Sequence, residues 1–454
     1  MSATGFSTTE TRAVTSLASL YLVRMLGLFM LFPVMSVYAR DYPDASPVLI
    51  GVALGVYGLA QACLQLPLGM LSDRIGRRRV VVGSQIVFLL GSVVGALATS
   101  IWGIILGRLL QGAGAVASTL MALVADVTRD QNRSKAMAAV GASIGVSFAL
   151  SLVVGPVVTG VAGLSGLFWM ITVLAALGLF IALRVVPYPV ASTAHRAAPS
   201  RALLSQVLRN PQLLRLDAGV GVLHFVITAS FIAVPRVFAD ELGIPRESHG
   251  LLYGWLLGGT FVAMLPLMVL AERKRRARGV FLLSIAMILG GMALLTAWRQ
   301  GEARVFAALA MYFLALNYLE AALPSLVSRA TLPGNRGTAS GVYSTCQFLG
   351  AFLGGVGGGY ALQHGGITAV FGLCTALVAC WLFIAVGMDA PQHLREITLA
   401  VDASAHSVEE LSSRLNGLPG VREVLVVAGE SIAHLQVDGD FDASHLDGLP
   451  VRHV

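Results

Sequence analysis

Apolar stretches of about 20 residues or more, each long enough to cross a hydrocarbon core roughly 30 Å thick, recur along the first 390 positions of this 454-residue chain. Twelve can be marked out: 13–38, 47–72, 77–98, 101–126, 133–160, 164–186, 211–238, 248–271, 279–298, 304–328, 336–362 and 366–388. Nothing constrains the fold more. In lipid every backbone N–H and C=O must find its partner inside the protein, and for apolar runs of this length the α-helix is the structure that does so. Charged residues make up 12% of the chain, about half of the roughly 25% usual in soluble domains, and the mean hydropathy is +0.78. The first apolar stretch lacks the basic start of a signal peptide and is too long for one, so it is expected to stay as a helix.

Charge is distributed unevenly. Residues 1–390 carry 27 basic and 14 acidic side chains and residues 391–454 carry 4 and 10, so a membrane part of +13 precedes a tail of −6. Five arginines (Arg40, Arg236, Arg246, Arg299, Arg304) fall on one side of the spans, and the other loop cations gather on the opposite side. The positive-inside rule then places both termini in the cytoplasm. Because the basic residues lie in short loops and the soluble piece is acidic, nucleic acid is excluded as a partner.

The polar segment 187–210 divides the spans six and six, giving bundles at 1–186 and 211–389 joined by a cytoplasmic linker. These halves repeat each other. "PLGMLSDR" from Pro67 aligns with "PLMVLAER" from Pro266, placing Glu272 on Asp73 and Arg276 on Arg77, and Asn132-Arg133 aligns with Asn335-Arg336. Two six-helix repeats in parallel orientation are the expected plan. From residue 391 to 454 the period changes to that of a soluble domain. "EITLAV" (396–401) alternates like a strand, Val408, Leu411 and Leu415 mark a short amphipathic helix, and "VREVLVV" with "SIAHLQV" reads as a hairpin. A weak helix at 441–447 and a last strand in "PVRHV" would complete a βαββαβ ferredoxin-like unit.

"GMLSDRIGRRRV" (69–80) closes the second span with an acid and four arginines. Arginines there mark the cytoplasmic side, but Asp73 sits at the negative pole of its helix and needs a cationic partner. Arg77, four residues on, is within reach. This stretch resembles the signature between helices 2 and 3 of the major facilitator superfamily, matching at Gly69, Leu71, Asp73, Arg74, Gly76 and Arg77. The resemblance implies that Asp73 meets the N-terminal end of the eleventh helix, near 334–341, and the loop arginine, and so latches the outward-facing state. It also implies that Asp126 joins this charge network. "GRLLQGAGA" (107–115) resembles the fourth-helix motif of proton-linked carriers, with Arg108 inside the membrane. "GVSFALSLVVGPVVTG" resembles the fifth-helix antiporter motif at Gly145, Gly155, Pro156 and Gly160, where small residues let helices approach closely. Nearly the whole chain, tail included, resembles a drug:proton antiporter-like branch of that superfamily found in the bacterial inner membrane.

Charged groups inside a bilayer are costly, so those present face a partner or a water-filled cavity. Arg24, Arg108, His224 and Glu320 fall one each in spans 1, 4, 7 and 10, which the resemblance places around a central cavity. Glu320 reads either as a proton carrier or as one member of a permanent pair. His224 reads as a relay or as a hydrogen-bonded packing residue, and the two arginines as substrate contacts or as structural partners. Tyr57, Gln61 and Asn317 are candidates for polar contacts with a substrate, whereas Asp217 reads as structural. Cys63, Cys346, Cys374 and Cys380 all lie in spans, where a free thiol acts as a small apolar residue.

The expectation is thus an all-α membrane protein of twelve transmembrane helices with a small α+β ferredoxin-like domain. Its function reads as proton-coupled efflux of small amphiphilic molecules by alternating access. Alternatives are a non-transporting sensor that signals through the tail, and a nutrient uniporter or symporter. No nucleophile–base constellation points to an enzyme, and no cofactor is expected. The tail's first loop, "DASAH" (402–406), lacks paired cysteines, and its histidines match no metal-site spacing; a role in self-association or in docking on the basic membrane face is expected instead.

Overall fold

The computed structural model describes residues 6–188, 201–273, 276–331 and 336–388 and, in the tail, 395–401, 408–427, 432–437, 441–442, 446 and 451–453. The membrane part comprises α1 (Thr8–Phe29), α2 (Phe32–Tyr38), α3 (Pro47–Ile75), α4 (Arg77–Ala96), α5 (Ile101–Ala113), α6 (Ala117–Val127) and α7 (Asp130–Arg184). After the short α8 (Arg201–Arg209) come α9 (Pro211–Arg236), α10 (His249–Arg273), α11 (Ala277–Ala297), α12 (Glu302–Arg329) and α13 (Arg336–Val386). Local chemistry sets the starts. Ser7 and Glu10 form a reciprocal capping box on α1, Ser46 caps α3 ahead of Pro47, and Asn210 caps α9 ahead of Pro211.

Among the described residues ten helical stretches are long and apolar enough to cross a membrane, and two of them run to 50 residues. Each of these two holds one glycine in the left-handed region, Gly163 at φ 66° and Gly366 at φ 67°, conformations that suit glycine. The chain reverses there. Gly155 lies on Met30 and Gly27 lies on Ile171, whereas a straight helix would hold 155 and 171 roughly 24 Å apart. Likewise Leu373 comes within 3.9 Å of the Cβ position of Gly357. Two expected spans are also interrupted: 13–38 between α1 and α2, and 101–126 at Gly114–Val116 between α5 and α6.

α1 and α9 occupy the interior, with 78% and 72% of their most apolar windows buried, against 22% for α10 at the periphery. Trp255, Phe383 and Val161 stand exposed on the outside, a surface that suits lipid. The halves meet along α3 and α13 through a stripe of small residues. Gly51 and Gly55 lie against Gly355, Gly55 against Phe352, Gly58 against Phe348, and Gly359 against Pro47 and Val48.

In the tail, β1 (Arg395–Val401), β2 (Val421–Val427), β3 (Ile432–Val437) and β4 (Val451–His453) form an antiparallel sheet of order β2-β3-β1-β4, with α14 (Val408–Asn416) beside it. Register explains the alternation read in the sequence: Ile397 faces Leu435 and Leu399 faces Ala433 across β1 and β3, and these pack with Leu411 and Leu415. Strands and first helix fall where the alternation placed them. The loop 402–406 and most of the expected helix at 441–447 lie outside the described residues.

A side chain at Gly355 would strike the backbone of α3. Gly355→Leu is expected to cost about 1–3 kcal/mol and lower the thermal midpoint in detergent. Gly83→Ala, where nothing lies within 4 Å, should leave it unchanged or slightly raised; equal midpoints for the two variants would show that the stripe does not set the packing.

Candidate functional site and its two gates

The break between α5 and α6 releases backbone carbonyls inside the bundle, and such groups must be satisfied by protein. Three side chains meet them. Arg24 Nη2 donates to Gly114 O, Ser84 Oγ to Ala115 O at 3.1 Å and Tyr21 Oη to Ala117 O at 2.8 Å. Arg24 Nη1 also donates to Gln85 Oε1 at 2.7 Å, and its guanidinium lies 4.5 Å from the Phe88 ring centre. Arg24, buried at 2% exposure, is therefore spent on holding the broken helix together.

Arg108 is spent in the same way. Fully buried, it donates to Ala53 O at 3.2 Å, Leu54 O at 3.4 Å and Gln111 Oε1 at 3.0 Å, and stands 5.0 Å from the Tyr57 ring centre. Gln111 passes the network on to Ser92 at 3.0 Å. The glycines of "GRLLQGAGA" make this close fit geometrically feasible, since Gly107 lies on Gly91 and Gly95 and Gly112 on Tyr57 and Ala60. Tyr57 accepts a hydrogen bond from Gln61 Nε2 at 2.8 Å, while Gln61 Oε1 is buried without a partner among the described residues. Asn317 donates to Thr260 Oγ1 at 3.2 Å, which ties α12 to α10.

His224 and Glu320 are brought together. His224 Nε2 lies 3.5 Å from Glu320 Oε1 and 2.7 Å from Gln347 Nε2, and Nδ1 faces Val220 O at 3.2 Å. Because Nδ1 faces a carbonyl, it carries hydrogen, so in the neutral ring Nε2 is an acceptor for the Gln347 amide. Adding one proton turns Nε2 into a donor toward Glu320. Gln347 thus joins α13 to the His224–Glu320 pair of α9 and α12. Nothing in the sequence singled out Gln347, which lies three residues before Gly350 on the face of α13 that touches α9.

At the arginine-rich end, Gly76 (φ 96°) joins α3 to α4 and lets Arg77 turn back. Arg77 Nη2 lies 2.6 Å from Asp73 and Nε 3.2 Å from Asp126, and Nη1 also donates to Ser72 Oγ. Asp126 and Arg77 are largely buried (9% and 16%), whereas Asp73 is 56% exposed and turned to its own half. Arg74 is exposed in the last turn of α3. Gly69 permits the approach of Ser118, 3.1 Å from its Cβ position, whose hydroxyl donates to Gln65 O at 2.8 Å.

The opposite end is closed by contacts between the halves. Phe32 meets Phe231 at 5.5 Å between ring centres, and Phe148 meets both Phe29 (5.1 Å) and Phe231 (6.4 Å). Outside this aromatic plug, Arg40 pairs with Asp240 at 3.1 Å and Arg246 with Asp41 at 3.4 Å, while Arg236 donates to Ser36 O at 3.3 Å. The fifth-helix motif contributes here: Gly155 touches Met30, Pro156 approaches Gly250, and Gly160 approaches Glu247. Gly145 differs from these three: among the described residues nothing lies within 4 Å of its Cβ position. The ionic cross-brace escaped the sequence reading, which took Arg40, Arg236 and Arg246 only as exceptions to a charge count. Its signal was the repeat itself, because Arg40 and Asp240 stand 200 residues apart.

Helix bundles that meet through glycines, with buried polar groups between an aromatic-plugged end and an arginine-rich end, suit a secondary-transporter architecture. A model of the Major Facilitator Superfamily matches residues 17–237 and 216–415, and the chain belongs to that family. It is 40% identical over 430 residues to the inner membrane transport protein YajR of Escherichia coli strain K12, covering 94% of each chain. It is 27% identical over 353 residues to the multidrug resistance protein MdtH of Aeromonas hydrophila, covering 76% of this chain and 87% of the relative. In fold it is similar to the crystal structure of a bacterial homolog of the human lysosomal transporter Spinster, with a TM-score of 0.67 at 16% identity, covering 84% of this chain and 96% of the other. The chain is a multi-pass membrane transporter.

Both cross-brace pairs are partly exposed, so each contributes up to about 1 kcal/mol. Replacing Asp41 and Asp240 together by Ala is expected to raise the population open at this end several-fold. Spin labels at positions 43 and 245 should report it as a longer-distance component; a distance distribution equal to wild type would remove the pairs from the gate.

Proposed function

We propose that this chain is a proton-coupled efflux carrier for small amphiphilic molecules in the bacterial inner membrane, working by alternating access across twelve helices. Twelve crossings follow if the hairpins at Gly163 and Gly366 each count as two, and the arginine-rich face is then cytoplasmic, with both termini on that side. The observation that carries the reading is the His224–Glu320 pair: with Arg24 and Arg108 committed to carbonyls, it is the ionisable pair of the four predicted cavity groups left to exchange a proton. Export rather than uptake is supported by the relatives, one of which is described as a multidrug resistance protein. The sheet order of the tail supports a ferredoxin-like domain, and its −6 charge suits docking on the basic face or self-association.

The contacts between the halves crowd toward the end closed by the plug and the cross-brace, so the structure suits the state open to the cytoplasm. Asp73, exposed and turned to Arg77, is then a latch at rest that engages the start of α13 when the cytoplasmic end closes. Gly69, Arg74, Gly76, Arg77 and Asp126 shape and hold that latch, and Tyr57, Gln61 and Asn317 border the transport path.

In proteoliposomes with an imposed pH gradient, Glu320→Gln is expected to abolish gradient-driven accumulation of a transported amphiphile, at least tenfold, while substrate exchange without a gradient persists. Asp73→Asn should slow both modes through loss of the latched state. Full gradient-driven accumulation by Glu320→Gln would overturn the proton-coupled reading.

A further inference from the structure

Asp217 reads as structural in the sequence, but among the described residues its carboxyl has no hydrogen-bond partner. It lies two turns into α9, 3% exposed, and neither carboxyl oxygen is accessible or hydrogen-bonded among the described residues. The cation nearest in sequence is committed elsewhere, because Arg215 Nη1 donates to Gly387 O at 2.5 Å. On the linker helix α8, Arg209 is exposed to solvent. Among the described residues, Tyr343 and Cys346 of α13 lie within electrostatic range of Asp217. Tyr343 is buried and within electrostatic range of Glu320 as well. Two turns further along α9 comes His224, and between them the backbone of Gly221 touches Gly350 of α13. A carboxylate ion in such surroundings would have neither water nor cation, and a group so placed takes up a proton instead.

We propose that Asp217 is a second proton-holding carboxyl of the carrier, linked to Glu320 through Tyr343 and protonated in the state seen here. When α9 and α13 part at the Gly221–Gly350 contact and water enters, Asp217 gives its proton to that water and, once charged, accepts the proton that leaves Glu320 through Tyr343. This inference rests on the reading of the chain as proton-coupled, and concerns a group that the paired site does not include.

The test is infrared difference spectroscopy on the purified full-length chain in detergent, between about pH 5 and about pH 8, which reads the carbonyl stretch of protonated carboxyls without any substrate. Wild type is expected to show two bands of protonated carboxyls, one from buried Asp217 and one from half-exposed Glu320. Asp217→Asn should lose one of them and keep its elution volume on size exclusion, since asparagine mimics the neutral acid, and Glu320→Gln should lose the other. Spectra of Asp217→Asn that superimpose on wild type would overturn the proposal. Superimposable Glu320→Gln spectra with the Asp217 band still lost in Asp217→Asn would overturn the coupling role of Glu320 and leave the Asp217 site standing. Tyr343→Phe provides an independent readout should Asp217→Asn not fold: a displaced Asp217 band is expected, and an unmoved one would break the proposed link.

Discussion

The structure depends on the rule that a polar group in a bilayer must be satisfied by protein. A helix that breaks at Gly114–Val116 exposes carbonyls where no water is at hand, and the fold answers with Arg24, Ser84 and Tyr21 from two other helices. Arg108 does the same between α5 and α3. These bonds fix four helices of the first half as one body. In doing so they remove two arginines from the pool of groups free to meet a substrate or a proton. The other two charged candidates, His224 and Glu320, lie in the second half, on α9 and α12, beside α13.

That division of labour matches the two ends of the molecule. One end is shut by packing and charge together, with phenylalanines from both halves inside and the Arg40–Asp240 and Arg246–Asp41 pairs outside. The other end carries the Asp73–Arg77–Asp126 cluster within a single half. Partly exposed ion pairs are weak individually, which suits a gate that must open. Stripes of glycine on α3 and α13 provide the close, featureless contact on which the halves can rock, because backbone meets backbone with no side chains to interlock.

Much of this was legible in the sequence. Apolar runs mark the long helices of the membrane part, and alternation placed the first three tail strands to within a residue. Asp73, Arg77 and Asp126 do assemble, as the motif implied. Less legible was anything that depends on which face of a helix meets which neighbour. Arg24 and Arg108 look like cavity residues in one dimension because sequence shows their charge but not the carbonyls they serve. Gly145 belongs to a motif yet touches nothing, and Gln347, which completes the histidine's surroundings, is one glutamine among several. Apolar length separates spans at 160–164 and at 362–366, and only the backbone shows a positive-φ glycine at each place, Gly163 and Gly366.

The central claim is that the His224–Glu320 pair exchanges its proton against substrate. Purified protein in weakly buffered detergent near neutral pH, mixed with a transported amphiphile and followed by a pH-sensitive dye, tests it most directly. The account predicts proton release on substrate binding by wild type and none by Glu320→Gln that still binds the amphiphile. Equal release by both would contradict it.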